Sequence, residues 1–348
     1  MRIKVAIVDI DTDYLQRVKN KLRKDYADRI EAAYYSDFDI FSADMKKNRM
    51  DLAVINVNFM QAPEFGMITC PVLLISEDNA AGKIGKYPVI GKYQRFEELY
   101  KNIISVYSDN VQGMEGYVPA SAEGKKIIVF ASPAGGTGSS TMAIACAEHF
   151  AQRGLNVIYL NFERMPFYYY TGYSGGFEDI MFTLSENRSN ISLKLESVLI
   201  KTQNNVRILP SIKNPLDLCS LSNEDIEVLL KAMLQMEGID HIVIDADFGL
   251  DERTYMLFDK ATHIVFTTDG RVAANNKTTR AIECLKNKDS DFQTTDKIRI
   301  IYNRFSSGNF NNKMQGNYPE LFVFPRYKAT TPQIIAELSN SNAFDQLM

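Results

Sequence analysis

The stretch Lys126-Ile-Ile-Val-Phe-Ala-Ser-Pro-Ala-Gly-Gly-Thr-Gly-Ser-Ser-Thr-Met142 decides the fold of the second half of the chain. Its apolar start predicts a buried strand, its glycines a tight turn, and the residues that follow a helix. This order is typical of the phosphate loop G-x-x-x-x-G-K-[ST], in which backbone N–H groups hold phosphates and a lysine reaches the terminal one. Here Gly138 is the last glycine, but Ser139 takes the lysine position and Pro133 the first glycine position.

The surroundings of this loop favour a phosphate site. A helix is predicted from Ser139 to Arg153 and a strand from Asn156 to Leu160, so the glycines lie in a βαβ unit. A helix amino terminus offers free N–H groups and partial positive charge to an anion, with or without a lysine. The alternative is a tight turn that binds nothing. The candidate binding residues are Gly135, Gly136, Thr137, Gly138, Ser139, Ser140 and Thr141.

Two later strands fit the same kind of site. Asp240-His-Ile-Val-Ile-Asp245 is apolar and ends in a carboxylate, which is the form of a segment that holds Mg²⁺ beside a nucleotide. Ser140 supplies a hydroxyl at the metal-binding position of the loop, so Ser140 and Asp245 are the candidate metal ligands. The second strand, Ile298 to Asn303, is followed by Arg304.

Composition limits the class of protein. The 348 residues suffice for two domains, and the net charge of −4 weighs against nonspecific binding to nucleic acid. The four cysteines form no C-x-x-C and the three histidines are dispersed, which favours reduced thiols and disfavours zinc. The chain has no run of about 18 apolar residues, and its first apolar run is too short for a signal peptide. We therefore expect a cytoplasmic protein that inserts no helix into a membrane.

The predicted fold class is α/β, with two doubly wound domains. Residues 1–107 alternate strands with helices, which predicts a parallel, flavodoxin-like sheet. Residues 108–124 are rich in glycine and small polar residues and are predicted to be a linker. Residues 125–348 are predicted to form a domain like those of P-loop NTPases, with a mainly parallel sheet.

Polar residues follow the predicted strands of the first domain, namely Asp9, Asp11, Asn56, Ser76 and Lys92. This arrangement resembles the receiver domain of two-component response regulators. In that family an acidic pair binds Mg²⁺ and an aspartate accepts phosphate, and Asn56 stands at the aspartate's position. A carboxamide cannot form the acyl phosphate. We expect a receiver-like domain that lacks the phosphoacceptor and serves as a docking surface; the alternative is an ordinary set of strand-end groups.

The second domain resembles a family as well. Ala134–Thr141 is similar to the K-G-G-x-G-K-T-T loop of the MinD/ParA class of deviant Walker ATPases. Asp245 and the residues after it resemble Walker B and switch II of the pilus-assembly branch called CpaE or TadZ. The resemblance implies that Asn303 and Arg304 read adenine, that Pro325 belongs to the base-side loop, that ATP and Mg²⁺ bind, and that the protein forms a homodimer.

The chain departs from that family at the residues that contact phosphate. The signature lysine is replaced by Ala134, the second lysine by Ser139, and the switch I Asp-x-Asp by Asn161-Phe-Glu163. A charge-assisted hydrogen bond contributes about 1.5–3 kcal/mol, so backbone donors and Mg²⁺ could sustain binding without the lysine. Hydrolysis depends more on charge at the γ-phosphate and should be weak or absent. Glu163 is the one catalytic candidate.

Two arginines, Arg271 and Arg304, could replace part of the lost charge, although a surface salt bridge is the commoner role for each.

The segment from Pro166 to Tyr170 is an aromatic cluster that forms either a partner surface or internal packing. Thr331–Met348 contains no lysine or arginine, which disfavours direct membrane binding through this segment.

The sequence therefore predicts an ATP-binding localisation or assembly factor for a Tad/Flp (type IV-like) pilus secretion system. In this hypothesis nucleotide stabilises a dimer with little hydrolysis, and the receiver-like domain contacts proteins of the pilus machine. The hypothesis includes recruitment of the protein to a cell pole or focus. The alternative is an active ParA/MinD-class ATPase that cycles to position DNA or a cargo complex. A third hypothesis is a nucleotide-free scaffold.

Overall fold

The structure is a computed structural model that describes residues 2–78, 82–110, 123–166, 169–170, 176–186, 191–210, 212, 214–288, 296–306 and 312–348. Most of the predicted linker 108–124 lies outside the described residues, as do Phe167 and Tyr168 of the aromatic cluster. Contacts between residues divide the chain into two compact units. The first is Met1–Val118 with Glu186–Val198, and the second is Pro119–Ser185 with Leu199–Met348.

The described residues contain strands that alternate with helices along the chain. The strands are β1 (Ile3–Val8), β2 (Ile30–Tyr35), β3 (Leu52–Asn56), β4 (Val72–Ser76), β5 (Gly82–Ile84), β6 (Tyr87–Gly91), β7 (Lys126–Ala131), β8 (Val157–Phe162), β9 (Ile200–Lys201), β10 (Arg207–Ile208), β11 (His241–Ala246), β12 (His263–Thr268), β13 (Ile298–Tyr302) and β14 (Glu320–Val323). The α-helices are α1 (Thr12–Asp25), α2 (Phe38–Met45), α3 (Phe96–Asn110), α4 (Ser139–Gln152), α5 (Phe177–Ser185), α6 (Ile191–Val198), α7 (Pro215–Ser220), α8 (Asn223–Gln235), α9 (Glu252–Lys260), α10 (Val272–Lys288) and α11 (Thr331–Ser339). Short 3₁₀ helices span Val57–Gln61, Pro63–Met67 and Asn342–Leu347.

The first unit contains one twisted sheet in the order β2-β1-β3-β4-β6-β5, parallel except that β5 runs antiparallel to β6. Its central strands are buried, as strands covered on both faces must be. Helix α1 begins where the side chain of Asp11 accepts the N–H of Tyr14, and it buries a face that includes Leu15 and Val18. The predicted parallel, doubly wound sheet is confirmed.

Helix α6 belongs to the first unit by its contacts. The hydroxyl of Tyr100 in α3 donates to Glu196 at 2.6 Å, and the ammonium of Lys194 donates to Asp109 at 2.9 Å. Leu193 packs against the core beneath α3. This helix falls within the range 125–348 that the sequence assigned to the second domain. The sequence pattern gave no sign that it packs with the first unit.

The second unit contains a sheet in the order β14-β13-β12-β7-β11-β8-β10-β9, parallel except for the β9–β10 pair. Strand β7 lies between β12 and β11, so the loop that follows it opens at the carboxyl edge near the middle of the sheet. Helix α4 packs on the sheet through fully buried residues such as Met142, Ile144 and Phe150. The predicted P-loop NTPase-like α/β architecture is confirmed, and it places the glycine-rich loop where parallel sheets bind ligands.

Candidate phosphate-binding site

The glycine-rich loop has a backbone that only glycine adopts easily. Gly136 and Gly138 have φ angles of 76° and 93°, in the left-handed region that side chains disfavour. Gly138 is also the residue that precedes α4. A Cβ on Gly138 would lie 2.4 Å from Nδ2 of Asn303, so this position admits no side chain without moving its neighbour.

The loop presents unused hydrogen-bond donors to a cavity. In the part of the chain that the structure describes, none of the backbone N–H groups of residues 135–138 donates to a protein acceptor. The first N–H groups of α4 add to these donors, because a helix start leaves them without intrahelical partners. A cavity of about 350 Å³ opens over the loop. Its lining consists of Ser132, Ala134, Gly135, Gly136, Thr137, Gly138, Ser139, Ser140, Thr141, Glu163, Ala246, Asp247, Arg304 and Thr331.

Hydroxyl groups fix the loop from beneath. The hydroxyl of Ser132 lies within hydrogen-bond distance of the carbonyls of Ala134, at 2.8 Å, and Thr267, at 2.7 Å. The buried hydroxyl of Thr137 donates to the Ser132 oxygen at 2.9 Å. The loop is therefore held to strand β12 as well as to β7. Such anchoring pre-organises the backbone donors for a ligand.

Asp245 lies at the end of β11, level with Phe130 of β7 and Asn161 of β8. Its carboxyl group is fully buried and accepts the hydroxyl of Tyr159 at 3.0 Å. Its Oδ1 atom has no partner at hydrogen-bond geometry within the described residues. Burial, together with the charge of Glu163, raises the pKa of Asp245 well above its usual range. A buried acceptor without a donor costs stability, so this atom suits a ligand that brings positive charge.

The residues around Asp245 fit a magnesium ion. Ser140 donates to Glu163 at 2.9 Å, and both line the cavity. No group of three or more His, Cys, Asp or Glu side chains in the described ranges is placed to hold a metal by itself. Magnesium at nucleotide sites commonly uses one or two carboxylates, a hydroxyl and phosphate oxygens, and the set of Ser140, Asp245 and Glu163 matches that chemistry.

Asn303 and Arg304 lie against the loop. The buried amide of Asn303 donates to the carbonyl of Thr137 at 2.7 Å. The guanidinium of Arg304 donates to the carbonyl of Gly136 at 2.9 Å and lines the cavity. Pro325 is exposed and does not line the cavity, and neither Asn303 nor Asp245 contributes to its lining. Their roles at an adenine base and at a metal remain predictions.

The sequence analysis missed several residues of this site. Thr331 and Asp247 line the cavity, and Asp247 also accepts the backbone N–H of Arg164 at 2.7 Å. Asp247 lies in the segment after Asp245 that resembles switch II, and this resemblance could have indicated Asp247 as a residue of the site. Thr331 and the partner of Asp245, Tyr159, carry no local pattern that would reveal them.

Part of the predicted aromatic cluster packs internally. Tyr169 and Tyr170 lie against the core of the second unit with ring centroids 4.9 Å apart, and Tyr170 also meets Tyr159 edge to face. Of the two alternatives, internal packing therefore applies to these two rings.

The strand ends of the first unit form a closed ionic cluster. The ammonium of Lys92 is fully buried and lies 3.0 Å from Asp9 and 3.3 Å from Asp11. Asn56 donates its side-chain amide to the second oxygen of Asp9 at 2.9 Å. Burial opposes the charge on Lys92, but the bonds to Asp9 and Asp11 outweigh it and the pKa of Lys92 is raised. The carboxylate of Asp9 is thus bound by the Lys92 ammonium on one oxygen and by the Asn56 amide on the other.

Parts of the chain are similar to known proteins. Residues 1–108 match the family model described as "TadZ-like, receiver domain". The solved structure of a ParA family ATPase from Chlorobium tepidum TLS is 14% identical, with a TM-score of 0.50, over 65% of this chain and 93% of that one. The cell division ATPase MinD of Pyrococcus furiosus is 17% identical over 65% of this chain and 100% of that one, with a TM-score of 0.48. A putative plasmid partition protein from Borrelia burgdorferi B31, bound to AMPPNP, is 17% identical over 64% of this chain and 95% of that one, with a TM-score of 0.45. None of the curated proteins compared with the chain matches it.

The second unit thus has the fold of the ParA-family ATPases; at 14% identity, the likeness to the Chlorobium structure concerns fold alone. Residues 1–108 are similar to the TadZ-like receiver domain, and the order of a receiver-like unit before a unit with the ParA-type fold is similar to that of TadZ/CpaE-type proteins. None of the described helices is long and apolar enough to cross a membrane.

Proposed function

We propose that the protein is an ATP-binding localisation or assembly factor for a Tad/Flp pilus secretion system, in which nucleotide stabilises a dimer and hydrolysis is weak or absent. The observation that carries the proposal is the row of unused backbone donors of residues 135–138 at a cavity of about 350 Å³. Such donors at a helix start bind phosphate without a lysine.

Magnesium would be held by Ser140 and Asp245, and when bound it would neutralise charge on the phosphates. The unpartnered Oδ1 atom of Asp245 supports this assignment. With Ala134 and Ser139 in place of lysines, the loop itself carries no positive side chain. Positioning and charge neutralisation account for most of the catalysis of phosphoryl transfer, so this loop favours binding over turnover.

The first unit would supply the partner contacts. Its receiver-like cluster is closed by Lys92 and Asn56. Near that cluster Ile10 and Tyr93, which follow β1 and β6, are 67% and 59% exposed. Exposed apolar side chains of this kind are typical of protein interfaces, and pilus-machine proteins are the proposed partners.

A titration of labelled ATP with and without Mg²⁺, combined with sedimentation at each nucleotide concentration, tests the proposal. We expect saturable binding and a rise in the dimer fraction, because a ligand shifts an assembly only if it binds one state more tightly. Saturation without a change in sedimentation would contradict the nucleotide-stabilised dimer. An absence of saturation would leave only the scaffold hypothesis.

The second candidate is an active ParA/MinD-class ATPase that positions DNA or a cargo complex. The observation in its favour is Glu163, which lines the cavity and accepts the hydroxyl of Ser140 at 2.9 Å. A carboxylate so placed can orient a water molecule for attack on phosphate. Rapid phosphate release that a Glu163→Gln variant abolishes would favour this candidate over the first.

A further inference from the structure

Arg304 has a backbone conformation that is unusual for a residue with a side chain. Its φ angle is 57°, and Asn205 is the other non-glycine residue with positive φ in the described ranges. A left-handed conformation costs an arginine free energy, and such strain persists where the surroundings impose it, often at a functional site. Here the strained residue is the second one after β13, and its guanidinium lies on the phosphate loop.

The contacts of the guanidinium are with the loop and not with a counter-ion. Nη1 donates to the carbonyl of Gly136 at 2.9 Å, and Nη2 lies 3.9 Å from the position that a Cβ on Gly138 would take. Within the described part of the chain Arg304 forms no ion pair with a carboxylate. Its charge is therefore available to an anion at the loop.

Among the residues that the structure describes, Arg304 is also the one cation whose side chain lines the cavity. The lining includes two carboxylates, Glu163 and Asp247, and none of its other members is basic. The second candidate from the sequence, Arg271, lies outside this lining and pairs with Asp269 at 2.5 Å. Of the two arginines, only Arg304 is placed to replace the missing lysines.

We infer that Arg304 binds the phosphate chain of the nucleotide and supplies the positive charge that the loop lacks, in place of reading the base. The inference rests on the proposed binding of ATP. An arginine has five N–H donors in a planar fork that matches phosphate oxygens, and one of these donors is used by Gly136. The two glycines beside the guanidinium, Gly136 and Gly138, belong to the phosphate loop, which places the cation near the phosphates.

The test compares the affinities of ATP, AMP and GTP for the full-length protein and for Arg304→Gln. Glutamine keeps an amide donor for the loop carbonyl but carries no charge. We expect Arg304→Gln to lower the affinity for ATP about 10- to 100-fold and the affinity for AMP much less. The ratio of ATP to GTP affinity should stay unchanged. Arg271→Gln is the matched control and should leave all three affinities unchanged.

Different failures have different meanings. If Arg304→Gln changes the ratio of ATP to GTP affinity, Arg304 reads the base and the inference is wrong. If it weakens the binding of ATP and AMP equally, Arg304 supplies no charge to the β- and γ-phosphates, and the inference is also wrong. If wild type binds ATP and Arg304→Gln binds it equally well, the inference alone fails. If wild type binds no ATP, the proposed function fails and the inference with it.

A second variant covers the case in which Arg304→Gln does not fold. Arg304→Lys keeps the charge without the fork and should fall between wild type and the glutamine variant in ATP affinity. The inference would also be wrong if Arg304→Lys folds as wild type does, binds ATP with the full affinity of wild type and has a changed base preference.

Discussion

The side-chain amide of Asn303 donates a hydrogen bond of 2.7 Å to the backbone carbonyl of Thr137, so the end of β13 is tied to the phosphate loop. The same amide nitrogen lies 2.4 Å from the position of a Cβ on Gly138. The loop is thus shaped around Asn303, and its conformation depends on the absence of a side chain at residue 138.

Gly138→Ala should therefore disturb the loop. The new Cβ would displace the Asn303 amide and would hold a side chain at φ 93°, so we expect a loss of about 1–3 kcal/mol in the free energy of unfolding. Gly135→Ala is the matched control, because its φ is not positive and nothing lies within 4 Å of its added Cβ. Denaturant unfolding measures both variants. Equal stability of the two would show that Asn303 does not constrain the loop.

Asp245→Asn should remove the effect of magnesium on ATP binding. The amide retains the size of the carboxyl group and an acceptor for the Tyr159 hydroxyl, but it brings no charge to a cation. The affinity for ATP is measured once with Mg²⁺ and once with a chelator. The two affinities should differ in wild type and should be equal in Asp245→Asn. Tyr159→Phe keeps the carboxylate and serves as the control. A magnesium effect that is as large in Asp245→Asn as in wild type would exclude Asp245 as a metal ligand.

Lys92→Met should destabilise the first domain severely. The substitution leaves Asp9, which is fully buried, without its counter-ion, and loss of one partner of a buried pair costs about 3–5 kcal/mol. Lys21→Met is the control, since Lys21 is 45% exposed in a surface pair with Asp25 and should change stability by less than about 1 kcal/mol. Addition of Asp9→Asn to Lys92→Met should restore part of the loss. Denaturant unfolding of the four proteins forms the test, and a small effect of Lys92→Met would mean that the cluster is not held by this pair.

Asn56→Asp should give the first domain a dependence on magnesium that wild type lacks. In the structure the Asn56 amide lies 2.9 Å from a carboxylate oxygen of Asp9, so a second carboxylate there would repel the first. A divalent cation relieves such repulsion, and we expect Mg²⁺ to raise the thermal unfolding temperature of the variant but not of wild type. Labelling with a small phosphodonor completes the experiment. Phosphate uptake by unmutated Asn56 protein would refute the assignment of a receiver-like domain without phosphoacceptor chemistry.

The sequence predicted the parts of this fold that local patterns encode. The buried strand from Lys126, the glycines after it and the start of α4 are contiguous, and the apolar strand that ends near Asp245 is equally plain. Strand β2 is harder to predict, because Glu31 interrupts its apolar residues and Ala32–Tyr35 are only partly buried.

The contacts that complete the site are long-range and could not be predicted. Tyr159 and Asp245 are 86 residues apart in sequence, and Asn303 and Thr137 are 166 apart. The position of Arg304 on the phosphate loop follows from a left-handed residue at a strand end, which no spacing rule indicates. The packing of α6 on α3 likewise depends on side chains such as Lys194 that read as ordinary surface residues in the sequence.

The central claim is that the protein binds ATP and turns it over slowly, and one measurement tests it most directly. Bound ATP and released phosphate should be quantified in the same samples, with Mg²⁺, across a range of ATP concentrations. We predict saturable binding. Phosphate release should be much slower than about 1 s⁻¹, which is the lower end of the range of turnover rates of kinases. An absence of saturable binding, or rapid release that Glu163→Gln abolishes, would contradict the claim.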